Sequence, residues 1–233
     1  MRDENAADER VEAVVFDHDG IIVDSITPDF EACSRVFREH GAELAADRWA
    51  VEVCGNTDGY PGLFAALAER QGLPADAAER MFGRLSELWD LALTPATVAL
   101  LPGVREVLDR LRADGVRLAV ASAAPRGWVV GCLEHHGLRD RFEAVVTAED
   151  VERRKPAPDA YLAAVGRLGL PAGRCVAVED SLTGVSAARA AGLRVLAVPT
   201  PVTRSLDYSA ADLVLPGLSE LPAGLLRLPC STG

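Results

Sequence analysis

Four short stretches carry residue types that could work together. Asp17-His18-Asp19-Gly20 places two carboxylates one residue apart where an apolar run stops. Ser122 lies between two alanines, Ala121 and Ala123, at the end of a second apolar run. Lys155 sits in Arg154-Lys-Pro-Ala-Pro-Asp159, and Glu179-Asp180-Ser181 closes a further run. Gathered at one point, the acids would repel one another, so a divalent cation is expected among them. Oxygen ligands suit Mg²⁺, which fills its shell with one or two carboxylates, water and substrate phosphate. An anionic substrate beside acids also needs donors. Lys155, the Ser122 hydroxyl and the amides that follow it, Ala123 first, can supply them. A carboxylate can attack phosphorus and form an aspartyl-phosphate. A second acid two residues along can protonate the leaving oxygen and then deprotonate water.

Such convergence needs elements that point one way. The β-branched run at 11–16 reads as a buried strand. From 27 to about 93 the apolar spacing is helical throughout, and Gly41 and Gly72 stop helices over 31–40 and 62–71. Beyond Pro102, helices over 103–114, 126–136, 157–168 and 181–191 alternate with strands over 116–121, 144–147, 175–178 and 193–198. A last short strand is expected at 212–215. Strands alternating with helices predict an α/β fold, a Rossmann-like parallel sheet covered on both faces. The chain then divides into an α/β core, 1–24 and 99–233, and an α-helical insertion, 25–98. Parallel strands present all their C-terminal ends on one side, the side where ligands bind in such sheets. The insertion leaves at that edge, well placed to act as a lid.

Asp17-His-Asp-Gly-Ile-Ile-Val-Asp-Ser25 resembles the first motif of the haloacid dehalogenase-like hydrolases, a superfamily of phosphotransferases with an aspartate nucleophile. Ser122, Lys155-Pro-Ala-Pro-Asp159 and Glu179-Asp180-Ser-Leu-Thr-Gly184 resemble the other three motifs, in order. The resemblance covers about residues 11–200 and extends to the β-phosphoglucomutase and phosphoglycolate phosphatase-like branch. It implies that Asp17 is the nucleophile and Asp19 the general acid/base. It implies Mg²⁺ held by Asp17, the Asp19 carbonyl and Asp180, with Glu179 a direct or water-mediated ligand. Ser122 and Lys155 would hold the phosphoryl group, and the insertion would be the family's small helical cap.

Departures from the family narrow the choice. The dehalogenases lack the second acid, which is present here as Asp19. The phosphonate-cleaving members need a cap lysine for an imine, and 25–98 contains none. The mutases grip a second phosphate with a cap lysine and arginine and carry a histidine past the first motif. Here Asn56-Thr57-Asp58 stands for that arginine and Asp29 for that histidine. The expectation is a Mg²⁺-dependent phosphatase acting on a small sugar, polyol or cyclitol phosphomonoester. A β-phosphoglucomutase-like mutase and a non-catalytic binding member are the alternatives. Asn56, Thr57, Asp58 and Tyr60 form a polar loop suited to substrate hydroxyls, and Arg126 is a further candidate phosphate contact. Trp49 and Trp128 read as packing residues, and alternation points His18 away from both acids.

Composition bounds the rest. The 233 residues are 49% hydrophobic and carry a net charge of −11, which argues against nucleic acid as a partner. No apolar run reaches the roughly 18–20 residues that span a bilayer. The first ten residues read as a frayed tail without the apolar core of a signal peptide. Cys33, Cys54, Cys132, Cys175 and Cys230 are scattered singly and read as reduced thiols in a cytoplasmic protein, a monomer or weak homodimer. Of 24 basic residues, 23 are arginine, and Lys155 alone is lysine. A lysine kept in such a chain suits a site that needs a compact charge with rotatable donors.

Overall fold

The computed structural model describes residues 11–222, so the tail at 1–10 and Cys230 lie outside the described residues. Six parallel strands form one sheet in the order β3-β2-β1-β4-β5-β6. They are β1 (Ala13–Phe16), β2 (Arg117–Ala121), β3 (Ala144–Val146), β4 (Cys175–Glu179), β5 (Arg194–Ala197) and β6 (Leu213–Val214). This is the Rossmann-like order, with the direction of winding reversing at β1. The register pairs Phe16 with Val120 on one side and with Val178 on the other. The residues that follow these three strands therefore emerge side by side.

Strand alternation builds two cores. Val14, Phe16, Leu118, Val120, Val176 and Val178 cluster with α5 (Val104–Ala113) and α6 (Arg126–His135). Ala13, Val15, Ala119, Ala121, Cys175 and Ala177 cluster with α7 (Asp159–Leu168) and α8 (Leu182–Ala190). A sheet buried on both faces has no polar side, which explains its continuous apolar runs. Pro156 and Pro158 hold the chain after Lys155 out of the helix, so α7 begins at Asp159 rather than 157.

Between β1 and α5 the chain forms α1 (Ile26–Glu39), α2 (Ala46–Glu52), α3 (Tyr60–Arg70) and α4 (Ala77–Ala92). These helices bury a core of their own, centred on Phe37, Trp49, Tyr60, Phe64, Leu67 and Leu85. Of the body outside the insertion, Val202 joins that core. No strand occurs between α1 and α4, as the helical spacing predicts. The α2–α3 loop sits on the N-terminus of α8. A Cβ on Gly55 (φ +73°) would lie 2.3 Å from Thr183 Oγ1, so the approach requires glycine. Among the described residues no helix is long and apolar enough to cross a membrane, and Cys33, Cys54, Cys132 and Cys175 are buried free thiols.

Candidate active site

The ends of β2, β1 and β4 meet beneath the insertion around a cavity of about 490 Å³. Asp17, Asp19, Ser122, Ala123, Lys155 and Asp180 line its core side, and Asn56, Asp58 and Tyr60 line its insertion side. The side chain of Thr57 lies outside the described residues.

Asp17 continues β1, its amide bonded to the Val178 carbonyl at 2.9 Å. Its Oδ1 accepts from Lys155 Nζ at 2.7 Å, and the same Nζ donates to Glu179 Oε1 at 2.6 Å. Burial works to discharge Lys155, but the two carboxylates outweigh it and hold the ammonium well above its ordinary range. One lysine between two buried acids leaves the cluster acid in excess. Asp17 is accordingly pushed up to about 7 by burial, against the pull of Lys155 and with help from Glu179 and Asp19. Asp180 is pushed up too, by burial first and then by Asp17 and Glu179.

These raised carboxylates are what a bound cation would relieve. Asp180 Oδ2 is buried without a hydrogen-bond partner. The Asp19 carbonyl accepts no hydrogen bond among the described residues. Asp17, Glu179 and Asp180 can bring one oxygen each within 4.8 Å of one another. The all-oxygen set fits a hard divalent cation such as Mg²⁺. Glu179 is differently employed. Its Oε1 also accepts from the Tyr161 hydroxyl at 2.6 Å, and its Oε2 from the Asp180 amide at 3.2 Å and Ser181 Oγ at 3.3 Å. Glu179 thus anchors Lys155, while Asp180 brings to the cluster an oxygen with no hydrogen-bond partner. Gly20, at φ +78°, brings the turn against Asp180; a Cβ there would lie 2.1 Å from Oδ2.

Asp19 is clamped. Its Oδ1 accepts from Ser25 Oγ at 2.7 Å and Trp128 Nε1 at 2.9 Å, and its Oδ2 meets His18 Nδ1 at 3.2 Å. Burial alone would raise its pKa. The His18 charge and the hydrogen bonds from His18, Ser25 and Trp128 outweigh it and hold the carboxyl at about 2. His18 is thus no bystander: alternation turns it from the cavity, yet its ring stays beside Asp19. Trp128 is also more than packing, since its indole nitrogen reaches an acid 109 residues away.

Ser122, 1% exposed, accepts the Ala124 amide at 3.0 Å. The Ala123 amide has no acceptor among the described residues, and Ala123 lines the cavity beside Ser122. Arg126 does not join the site. Its guanidinium pairs with Asp150 at 2.6 Å and its amide with Glu149, because the turn after β3 brings two acids to the start of α6. Tyr161, Ser25 and Asp29 are site neighbours that the motif spacing left without a role. A buried tyrosine needs a polar partner, the one signal that would have drawn Tyr161 to Glu179.

A family model described as haloacid dehalogenase-like hydrolase matches residues 11–192. CbbY of Rhodobacter capsulatus is 35% identical, over 90% of this chain and 94% of its own length. Hexitol phosphatase B of Escherichia coli K12 is 32% identical, over 91% and 94%. The crystal structure of CbbY from Rhodobacter sphaeroides in complex with xylulose-(1,5)bisphosphate superposes with a TM-score of 0.71 at 26% identity, covering 94% of this chain and 100% of that one.

Proposed function

The chain belongs to the haloacid dehalogenase-like hydrolases and is a phosphoric monoester hydrolase, and we propose that it cleaves a small sugar, polyol or cyclitol phosphate through an aspartyl-phosphate on Asp17. The observation that carries this reading is Lys155 bridging Asp17 and Glu179 at the floor of a cavity that also exposes Asp19 and Asp180.

The substrate phosphoryl group is received by Lys155, Ser122 and the Ala123 amide. An Asp17 oxygen attacks phosphorus, and the bond to the leaving oxygen breaks as Asp19 gives that oxygen a proton. In the second half Asp19 takes a proton from water, and the hydroxide attacks phosphorus to release phosphate and Asp17. Asp17, Asp180 and the Asp19 carbonyl would hold a divalent cation, which when bound would supply the positive charge that keeps Asp17 ionised beside a phosphoryl dianion. Asp19, ionised in the clamp, is poised for the base half. For the acid half, an entering dianion raises the cost of a second negative charge and favours protonation of Asp19. Residues 25–98 act as the cap that excludes water during transfer.

Among the described residues, the cap side of the cavity holds no lysine or arginine. A second phosphate would find no counter-charge there, which favours hydrolysis of a monophosphate over mutase chemistry. Phosphate release from p-nitrophenyl phosphate and from a panel of hexitol, sugar, cyclitol and nucleotide monophosphates tests the reading. Release is expected with Mg²⁺ from the polyol and sugar members, lost on adding EDTA and restored by excess Mg²⁺. Silence across the panel with Mg²⁺ present would overturn it.

Trp128→Phe keeps the ring and deletes the donor to Asp19. Hydrogen bonds to charged groups are worth about 1.5–3 kcal/mol, so kcat should fall roughly ten-fold or more while KM moves little. Steady-state kinetics check this; an unchanged kcat would show that Ser25 and His18 position Asp19 without the indole.

A further inference from the structure

The mechanism leaves two cavity carboxylates without work, Asp29 and Asp58, and of these Asp58 is exposed while Asp29 is half-buried. Asp29, in the first turn of α1, lines the cavity on the cap side. Its Oδ1 accepts from the Tyr60 hydroxyl at 2.6 Å and from Trp89 Nε1 at 2.8 Å. Among the described residues no donor reaches Oδ2 and no lysine or arginine pairs with this acid. Burial pushes its pKa up to about 6, against those two hydrogen bonds and with a push from Asp19. Among the described residues, the cations lining the cavity are Arg154 and Lys155, both on the core side, and Lys155 is already shared by two acids.

The two side chains bonded to Asp29 are aromatic, and the Tyr60 and Trp89 rings meet edge to face at 5.0 Å. We propose that Asp29 is a specificity residue that receives a protonated amine on the leaving group, so that the substrate is the monophosphate of an amino sugar, amino polyol or aminocyclitol. This rests on the phosphatase reading above and narrows it.

Electrostatics favours an amine over a hydroxyl at Asp29. A hydroxyl would give Oδ2 a hydrogen bond but leave the carboxylate charge uncompensated in a partly dry site. An ammonium gives the hydrogen bond and cancels the charge, and burial of a carboxylate is favourable only when it is so paired. The same acid at the cap end would repel a second phosphate, in keeping with a monophosphate.

Matched pairs that differ only in amine against hydroxyl test the proposal, from 2-aminoethyl against 2-hydroxyethyl phosphate up to glucosamine 6-phosphate against glucose 6-phosphate. Near neutral pH, kcat/KM for the amine should exceed that for the hydroxyl by roughly ten-fold or more in at least one pair. N-acetylation should remove the advantage in the unmodified enzyme, and Asp29→Asn should bring the ratio to within about two-fold of unity. Turnover of p-nitrophenyl phosphate, or of the hydroxyl members, with no preference for any amine would overturn the proposal and leave the phosphatase reading standing. So would a preference that persists in an Asp29→Asn protein still active on p-nitrophenyl phosphate. No hydrolysis of any compound, p-nitrophenyl phosphate included, would overturn both.

Discussion

Asp17→Asn should abolish phosphate release and leave the protein folded. The amide is nearly the same size as the carboxylate, but its oxygen is too poor a nucleophile to form the phosphoenzyme. Loss of a nucleophile that acts with its partners as a unit costs at least roughly 10⁴-fold, so turnover should fall to background. Stability should move the other way or not at all. The folded-state pKa of Asp17 lies at about 7 against an ordinary 3.8. Between those values the cation-free folded state holds more protons than the unfolded state. The stability from this group is therefore complete below the unfolded value and lost as pH rises through about 7. Near neutral pH the ionised Asp17 is a burden on the fold, which the neutral amide removes. Phosphate assays with Mg²⁺ and thermal melts in EDTA check the two halves. Residual turnover near that of the unmodified enzyme would show that water attacks phosphorus directly and would end the aspartyl-phosphate reading.

Lys155→Arg should cost both rate and stability although the formal charge is kept. The ammonium nitrogen stands 2.7 Å from Asp17 Oδ1 and 2.6 Å from Glu179 Oε1, and 4.9 Å from the centre of the Tyr161 ring. Lys155 is only 8% exposed. A planar guanidinium cannot put one nitrogen between carboxylates carried by two different strands without displacing Tyr161 or filling the phosphoryl position. Overpacking of this kind costs about 1–3 kcal/mol, or roughly 2–10 °C in Tm for a chain of this size. Loss of a preorganised donor to the phosphoryl group should lower kcat/KM by roughly 10²–10³. Melts and kinetics of the variant read both effects. Wild-type values would mean that the site asks only for positive charge.

How much of this was legible beforehand differs from residue to residue. Asp17, Asp19, Ser122 and Asp180 stand at or just beyond strand ends that the apolar runs mark out, and parallel pairing forces those ends to one edge. The helical spacing of 27–93 likewise foretold an insertion with no strand. The partners of these residues were not legible. Trp128 and Asp19 are 109 residues apart, and Trp89 and Asp29 are 60 apart. Periodicity says which face of a helix is buried but not which polar atom it meets there. Arg126 lies where a phosphate contact would be useful, yet the nearer acids Glu149 and Asp150 take it. Glu179 and Asp180 are adjacent acids with no difference in the sequence to separate their tasks. Strand alternation separates them: Glu179 turns under Lys155 and Tyr161, and Asp180 keeps a buried oxygen free.

The amino-acid sequence alone thus determined the sheet, the insertion and the order in which the reactive groups reach one edge, because these follow from local periodicity and the geometry of parallel strands. Only the tertiary structure decided which donor meets which acceptor: indole on Asp19, lysine on Glu179, phenol and indole on Asp29. Those pairings depend on distances between elements remote in the chain. Burial then sets their strength, since a charge removed from water must find its partner within a few ångströms.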